Sequence, residues 1–99
     1  DIYIDLPITF VEAALGAKVD VPTPDGNSVK MKIPEGTQGG QKFRISGKGF
    51  PSPKGSSRGD MYVIVKIVVP KGLSAVDKEE IKRLEKLYRE NPRESMLRR

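Results

Sequence analysis

Apolar and polar residues alternate from the second position of this 99-residue chain: Ile2, Ile4, Leu6 and Ile8 fall on one face, Tyr3 and Asp5 on the other. That period of two predicts a half-buried strand. Pro7 cannot donate to a ladder, so this end of the strand belongs on a sheet edge or at a terminus. Thr9, with Glu12 three positions on, has the form of a capping box and predicts a short helix over Phe10 to Leu15 that Gly16 stops. Val19 and Val21 alternate with Lys18 and Asp20 in a second strand, and Pro22-Thr23-Pro24-Asp25-Gly26-Asn27 is a strong turn signal. The return arm of the hairpin is Ser28 to Ile33, with Val29, Met31 and Ile33 inward and Lys30 and Lys32 in water. A long turn, Pro34 to Gly40, leads to Lys42-Phe43-Arg44-Ile45, where Phe43 and Ile45 face inward. Each of these strands buries one side.

The densest apolar run follows a loop rich in Gly, Pro, Ser and base, from Gly47-Lys48-Gly49-Phe50-Pro51 to Arg58-Gly59-Asp60. In Met61 to Val69 both parities are apolar, which predicts a central strand covered on both faces and the spine of the core. Beyond Pro70-Lys71-Gly72-Leu73 the period changes. Ser74 with Asp77 is a capping signature, and Val76, Ile81, Leu84, Leu87 and Tyr88 recur at helical spacing up to Asn91-Pro92. Glu79 with Arg83 and Glu85 with Arg89 stand at i,i+4. Arg93 to Arg99 remain as a tail whose apolar residues are Met96 and Leu97. The helix's apolar stripe can cap the domain's own core or bury itself on a second copy, with different residues serving each.

Composition narrows the chemistry. The chain is long enough for one compact domain with a small core, and it begins at Asp1 as if at the edge of an element, which reads as a piece of a longer protein. There is no Cys and no His, so thiolate and imidazole ligands, disulfides, cysteine nucleophiles and serine triads are excluded. No cofactor is expected. No apolar stretch approaches the ~20 residues of a membrane span and no signal-peptide pattern opens the chain, so it reads as soluble and cytoplasmic, with no membrane partner. The net charge of +5 raises a nucleic-acid reading. Yet residues 1–70 carry 9 bases against 7 acids and residues 71–99 carry 9 against 6, so no basic stripe concentrates anywhere. The aromatics Tyr3, Phe10, Phe43, Phe50, Tyr62 and Tyr88 are scattered along the chain, and no nucleic-acid partner is expected. Gly36-Thr37-Gln38-Gly39-Gly40 and Gly47-Lys48-Gly49 lack the spacing of a phosphate loop and read as turns. Asp25, Glu35 and Asp60 sit beside Gly or Pro, where carboxylates are commonplace in turns. No catalytic group emerges, and the chain is expected not to be an enzyme.

Five segments, in order and spacing, carry a resemblance across nearly the whole chain: Leu6-Pro7-Ile8-Thr9-Phe10-Val11-Glu12-Ala13-Ala14-Leu15-Gly16, Val21-Pro22-Thr23-Pro24-Asp25-Gly26, Lys32-Ile33-Pro34-Glu35-Gly36-Thr37-Gln38, Phe43-Arg44-Ile45-Ser46-Gly47-Lys48-Gly49, and Arg58-Gly59-Asp60 before the long strand. They resemble the second C-terminal domain of the DnaJ family of co-chaperones. The resemblance implies a mainly β fold: a small twisted β-sandwich-like domain of antiparallel strands, residues 1–70, with one short helix near its N-terminus. A C-terminal amphipathic helix and tail, residues 71–99, would belong to the same structural unit and make a homodimer through Ile81, Leu84, Leu87, Tyr88, Met96 and Leu97. It further implies that unfolded client polypeptides are held and passed to a DnaK-type chaperone, with Val19 and Val21 beside Phe43 and Ile45 as the client-binding residues. Without His the chain has no His-Pro-Asp motif, and without Cys it has no zinc-binding region. A basic β-domain that binds RNA and a passive spacer are the alternatives; steep loss of tight RNA binding on adding salt would favour the first.

Overall fold

The computed structural model describes residues 1–49 and 58–97. Phe50 and Pro51 of the glycine-rich loop, and the tail's Arg98 and Arg99, lie outside the described residues. The chain divides into two compact units, Asp1–Val69 and Pro70–Arg99.

The first unit is built from β1 (Ile2–Thr9), α1 (Phe10–Leu15), β2 (Ala17–Pro22), β3 (Ser28–Ile33), β4 (Lys42–Ile45) and β5 (Met61–Val68). Thr9 caps α1 as its sequence predicts: its Oγ1 accepts the Glu12 N–H at 3.0 Å, and its own N–H donates to Glu12 Oε1 at 2.9 Å. Gly16 ends the helix at φ 80°, ψ 155°, a region beyond the left-handed helix that is open essentially to glycine alone, and the chain runs directly into β2. β2 and β3 form an antiparallel hairpin with Val19 opposite Met31 and Val21 opposite Val29. The other sheet has the order β1-β5-β4, so Pro7 does lie on an edge strand and β5 is central.

The mainly β class expected from the sequence is what the fold shows, with one correction to strand direction. β2–β3 and β4–β5 are antiparallel, but β1 runs parallel to β5, from Ile2 opposite Met61 to Thr9 opposite Val68. Alternation of side chains sets which face a strand buries, not the direction in which it pairs.

Leu6, Ile8, Ala13, Val21, Met31, Ile33, Met61, Val63 and Val65 form one buried cluster that joins the two sheets and α1. Among the described residues Thr37 is the buried polar one; its hydroxyl donates to the Pro34 carbonyl at 2.6 Å and its N–H to that of Ala13 at 3.0 Å, which ties the β3–β4 turn to α1. Met61, Val63 and Val65 of β5 are wholly covered, each contributing about 1.5–3 kcal/mol. The second face of β5 departs from the expected two-sided burial: Tyr62 and Ile64 are half-buried, and Lys66 and Val68 are exposed. The buried cluster draws on one face of the three-stranded sheet, so the opposite parity has no covering layer.

In the second unit Ser74 caps α2 (Ala75–Arg83) through a reciprocal pair with Asp77, at 3.1 and 3.0 Å. The regular helix ends earlier than the Asn91-Pro92 boundary that its periodicity predicts. Leu84–Leu87 tighten into a 3-10 turn and Tyr88 is extended at φ −88°, ψ 91°. The expected tail contains a further helical turn, α3 (Glu94–Leu97), introduced by Asn91, whose Oδ1 accepts the Arg93 N–H at 3.0 Å. No residue of α2, the 3-10 turn or α3 is buried. A helix of this length without a packed face is marginal in water, which accounts for the early break. Among the described residues, neither Glu79–Arg83 nor Glu85–Arg89 closes into an ion pair.

Candidate functional site

The outer edge of β2 is the first candidate. The Thr23 N–H donates to the Asn27 carbonyl at 3.0 Å, which sets the phase of the β2–β3 ladder. With that phase, residues 17, 19 and 21 bond to β3, and the backbone groups of Lys18 and Asp20 point away from it. Among the described residues these outward N–H and C=O groups have no partner. They form a short unpaired strand edge of the kind that accepts an extended peptide.

The four residues expected at a client groove fall on two sheets: Val19 and Val21 on β2, Phe43 and Ile45 on β4. All four belong to or pack against the common core. Val21 is wholly buried, while Val19, Phe43 and Ile45 are half-buried. The first offers no surface to a ligand; the other three keep apolar surface at the boundary with water.

The second candidate is the apolar surface of the C-terminal unit. Ile81 and Leu84 are 43% and 36% exposed, Leu87 and Tyr88 56% and 58%, and Met96 and Leu97 75% and 66%. With Val76, seven large apolar side chains of this 30-residue unit are open to water; exposed apolar groups that adjoin one another are what binding interfaces use.

Asp60 organises the start of β5. It accepts from Arg44 at 2.7 Å (Nε) and 2.6 Å (Nη2) and from the Gly47 N–H at 3.1 Å, so one carboxylate pins β4, the turn at its end and β5 together. The Gly47 N–H, then the Arg44 guanidinium, hold its carboxyl below the ordinary value of 3.8. A carboxyl whose folded value is depressed stabilises the fold above its unfolded value and loses that contribution as pH falls toward the folded one. Acid titration should therefore weaken this corner progressively below about pH 4, and Asp60→Asn should flatten that limb of the stability curve, read from thermal melts across pH.

Sequence reasoning missed one cluster. Tyr3 and Tyr62, far apart in the chain, stack with centroids 4.9 Å apart, and Lys42 Nζ lies 5.6 and 5.5 Å from the two rings. These aromatics are not scattered in space. The parallel register that sets Tyr3 opposite Tyr62 is the signal, and it is not visible in either strand alone. Among the described residues no group of three acidic side chains converges as a metal site, and no helix is long and apolar enough to cross a membrane.

Comparison with known proteins gives these surfaces a context. The family model for the DnaJ C terminal domain matches residues 1–70. Similar curated proteins include the chaperone protein DnaJ of Listeria welshimeri, 54% identical over 79 residues, which are 80% of this chain and 21% of that protein. The chaperone protein DnaJ of Lactococcus lactis is 53% identical over 81 residues, 82% of this chain and 21% of its own. That of Tetragenococcus halophilus is 53% identical over 87 residues, 88% of this chain and 22% of its own. The chain thus spans about a fifth of the length of the curated relatives it matches.

Proposed function

Because the chain belongs to the DnaJ C-terminal domain family, we propose that it is the client-holding and dimerising part of a DnaJ-type co-chaperone, without enzymatic activity of its own. Residues 1–70 hold unfolded polypeptide, residues 71–99 join two copies, and the clamp so made delivers clients to a DnaK-type ATPase chaperone in the cytoplasm. The observation that carries the client-holding role is the unpaired outer edge of β2 at Lys18 and Asp20, with half-covered Val19 between them. An unfolded client offers unpaired backbone groups and apolar side chains, and such an edge meets both without requiring a sequence. Phe43 and Ile45 add apolar surface, while Val21 stays sealed in the core. Binding at one such edge is weak, and two edges on a dimer raise the effective concentration without new contacts.

Chemical-shift mapping with a permanently unfolded, carboxymethylated polypeptide tests the holding role. Shifts concentrated at Lys18 to Val21 and at Phe43 and Ile45 are expected; a client that perturbs no residue of β2 or β4 would return the domain to a spacer. The dimer has its own test. Replacing Leu84 and Leu87 together with Asp places charges in the shared apolar face and should convert dimers to monomers by sedimentation velocity, with the melting of the β unit unchanged. A dimer that persists would remove the helix from the interface.

The RNA-binding reading keeps one supporting observation, the Tyr3–Tyr62 stack beneath Lys42, since bases stack on exposed aromatic rings. It is the weaker reading, because Arg44, which stands opposite Tyr62, is already paired with Asp60.

A further inference from the structure

We propose that Asp25–Gly26, at the tip of the β2–β3 hairpin, is a latent isoaspartate-forming site that the folded turn keeps inert and that opening of the hairpin releases. It is the one Asp-Gly dipeptide in the chain. Isomerisation at such a dipeptide needs two things: a neutral Asp carboxyl as electrophile and an available Gly amide nitrogen as nucleophile. The nitrogen attacks Cγ and the carboxyl oxygen leaves as water, closing a succinimide. Water then adds at the backbone carbonyl of the ring, so the main chain runs through Cβ with no net change in mass.

The turn withholds both reactants. The Gly26 N–H donates to the Thr23 carbonyl at 3.1 Å, closing a four-residue turn. Among the described residues no non-glycine residue has positive φ, which makes Thr23–Gly26 a type I turn, and Gly26 at φ 87° takes the left-handed place that follows it in three-residue hairpin loops. Asp25 Oδ1 accepts the Thr23 hydroxyl at 2.5 Å and the Asn27 N–H at 3.1 Å. These two donors, the Thr23 hydroxyl foremost, favour the ionised carboxylate and hold its pKa below the ordinary value, which depletes the neutral electrophile. All of these bonds are local to the turn, and all are lost together when the hairpin opens.

The consequence reaches the proposed client edge. An isoaspartate lengthens the backbone by one carbon in a turn that sets the register of β2 against β3, and a register error moves Val19 and Val21 off the core face. This last step rests on the function proposed above; the chemistry does not.

Peptide mapping by mass spectrometry with enzymatic isoaspartate detection, after incubation at neutral pH and 37 °C, reads the site directly and is independent of client binding. The folded chain should accumulate isoaspartate at residue 25 roughly tenfold or more slowly than a synthetic peptide of residues 20–30, and the chain in urea should match the peptide. Thr23→Val should accelerate the folded chain's reaction, while Thr23→Ser, which retains the hydroxyl, should not. Equal rates for the folded chain and the peptide, or for the Val and Ser variants, would overturn the proposal.

Discussion

Val65→Asp should leave the β unit unfolded at neutral pH. Val65 is wholly buried at the centre of β5, the strand that pairs with β1 on one side and β4 on the other, and its neighbours on that face are Met61, Val63 and Leu6. A carboxylate there meets no donor and no water. Burying an unpaired charge costs well over the value of any single apolar contact, and a domain of this size has only about 5–15 kcal/mol of stability to lose. Far-UV circular dichroism should show a disordered chain and calorimetry no cooperative transition. Val65→Ala, which removes volume without adding charge, should stay folded at a cost of about 2–3 kcal/mol, read as a lowered Tm. A cooperative native-like melt for Val65→Asp would mean that β5 is not the centre of the core.

Gly16→Ala should produce the second largest loss, about 2–4 kcal/mol, by a route that involves no burial. Two penalties coincide. The backbone at φ 80°, ψ 155° is strained for any residue with a Cβ, and that Cβ would stand 3.0 Å from the Ile33 carbonyl oxygen and 3.2 Å from the Glu35 nitrogen. Neither obstacle is a flexible side-chain end, so relief requires moving the α1–β2 junction away from β3. Because Gly16 launches β2, amide exchange should accelerate at Lys18 to Val21 as well as lowering Tm. Gly36→Ala is the matched control: its φ is 77° but nothing lies within 4 Å of an added Cβ, so it should pay only the conformational penalty. Equal losses at the two glycines would remove the steric part of the account.

Where each feature was legible depends on how far apart its causes lie in the chain. Thr9 with Glu12 and Ser74 with Asp77 announce their caps within four residues, and both form as predicted because a capping box needs no distant partner. The hairpin of β2 and β3 was equally readable from Val19-Asp20-Val21, the Pro24-Asp25-Gly26 turn and Val29-Lys30-Met31. The client-binding expectation was legible only as residue type. Alternation marks Val19, Val21, Phe43 and Ile45 as inward-facing without saying that Val21 is sealed while the others reach the boundary with water. The C-terminal helix shows the converse. Its spacing from Val76 to Tyr88 is that of one continuous helix, but with no residue buried the regular helix stops at Arg83.

The sequence by itself determined which side of β1 to β4 is apolar, where the short helix begins and ends, that β2 and β3 form a hairpin, the membership in the DnaJ C-terminal domain family, and the absence of imidazole and thiol chemistry. These follow from the order of neighbouring residues and from composition. Only the tertiary structure decided that β1 runs parallel to β5, that Tyr3 therefore stacks on Tyr62, that Asp60 binds Arg44 and Gly47 at once, and that the second face of β5 stays partly open. Each of those joins residues many positions apart, and side-chain periodicity carries a face but neither a partner nor a direction.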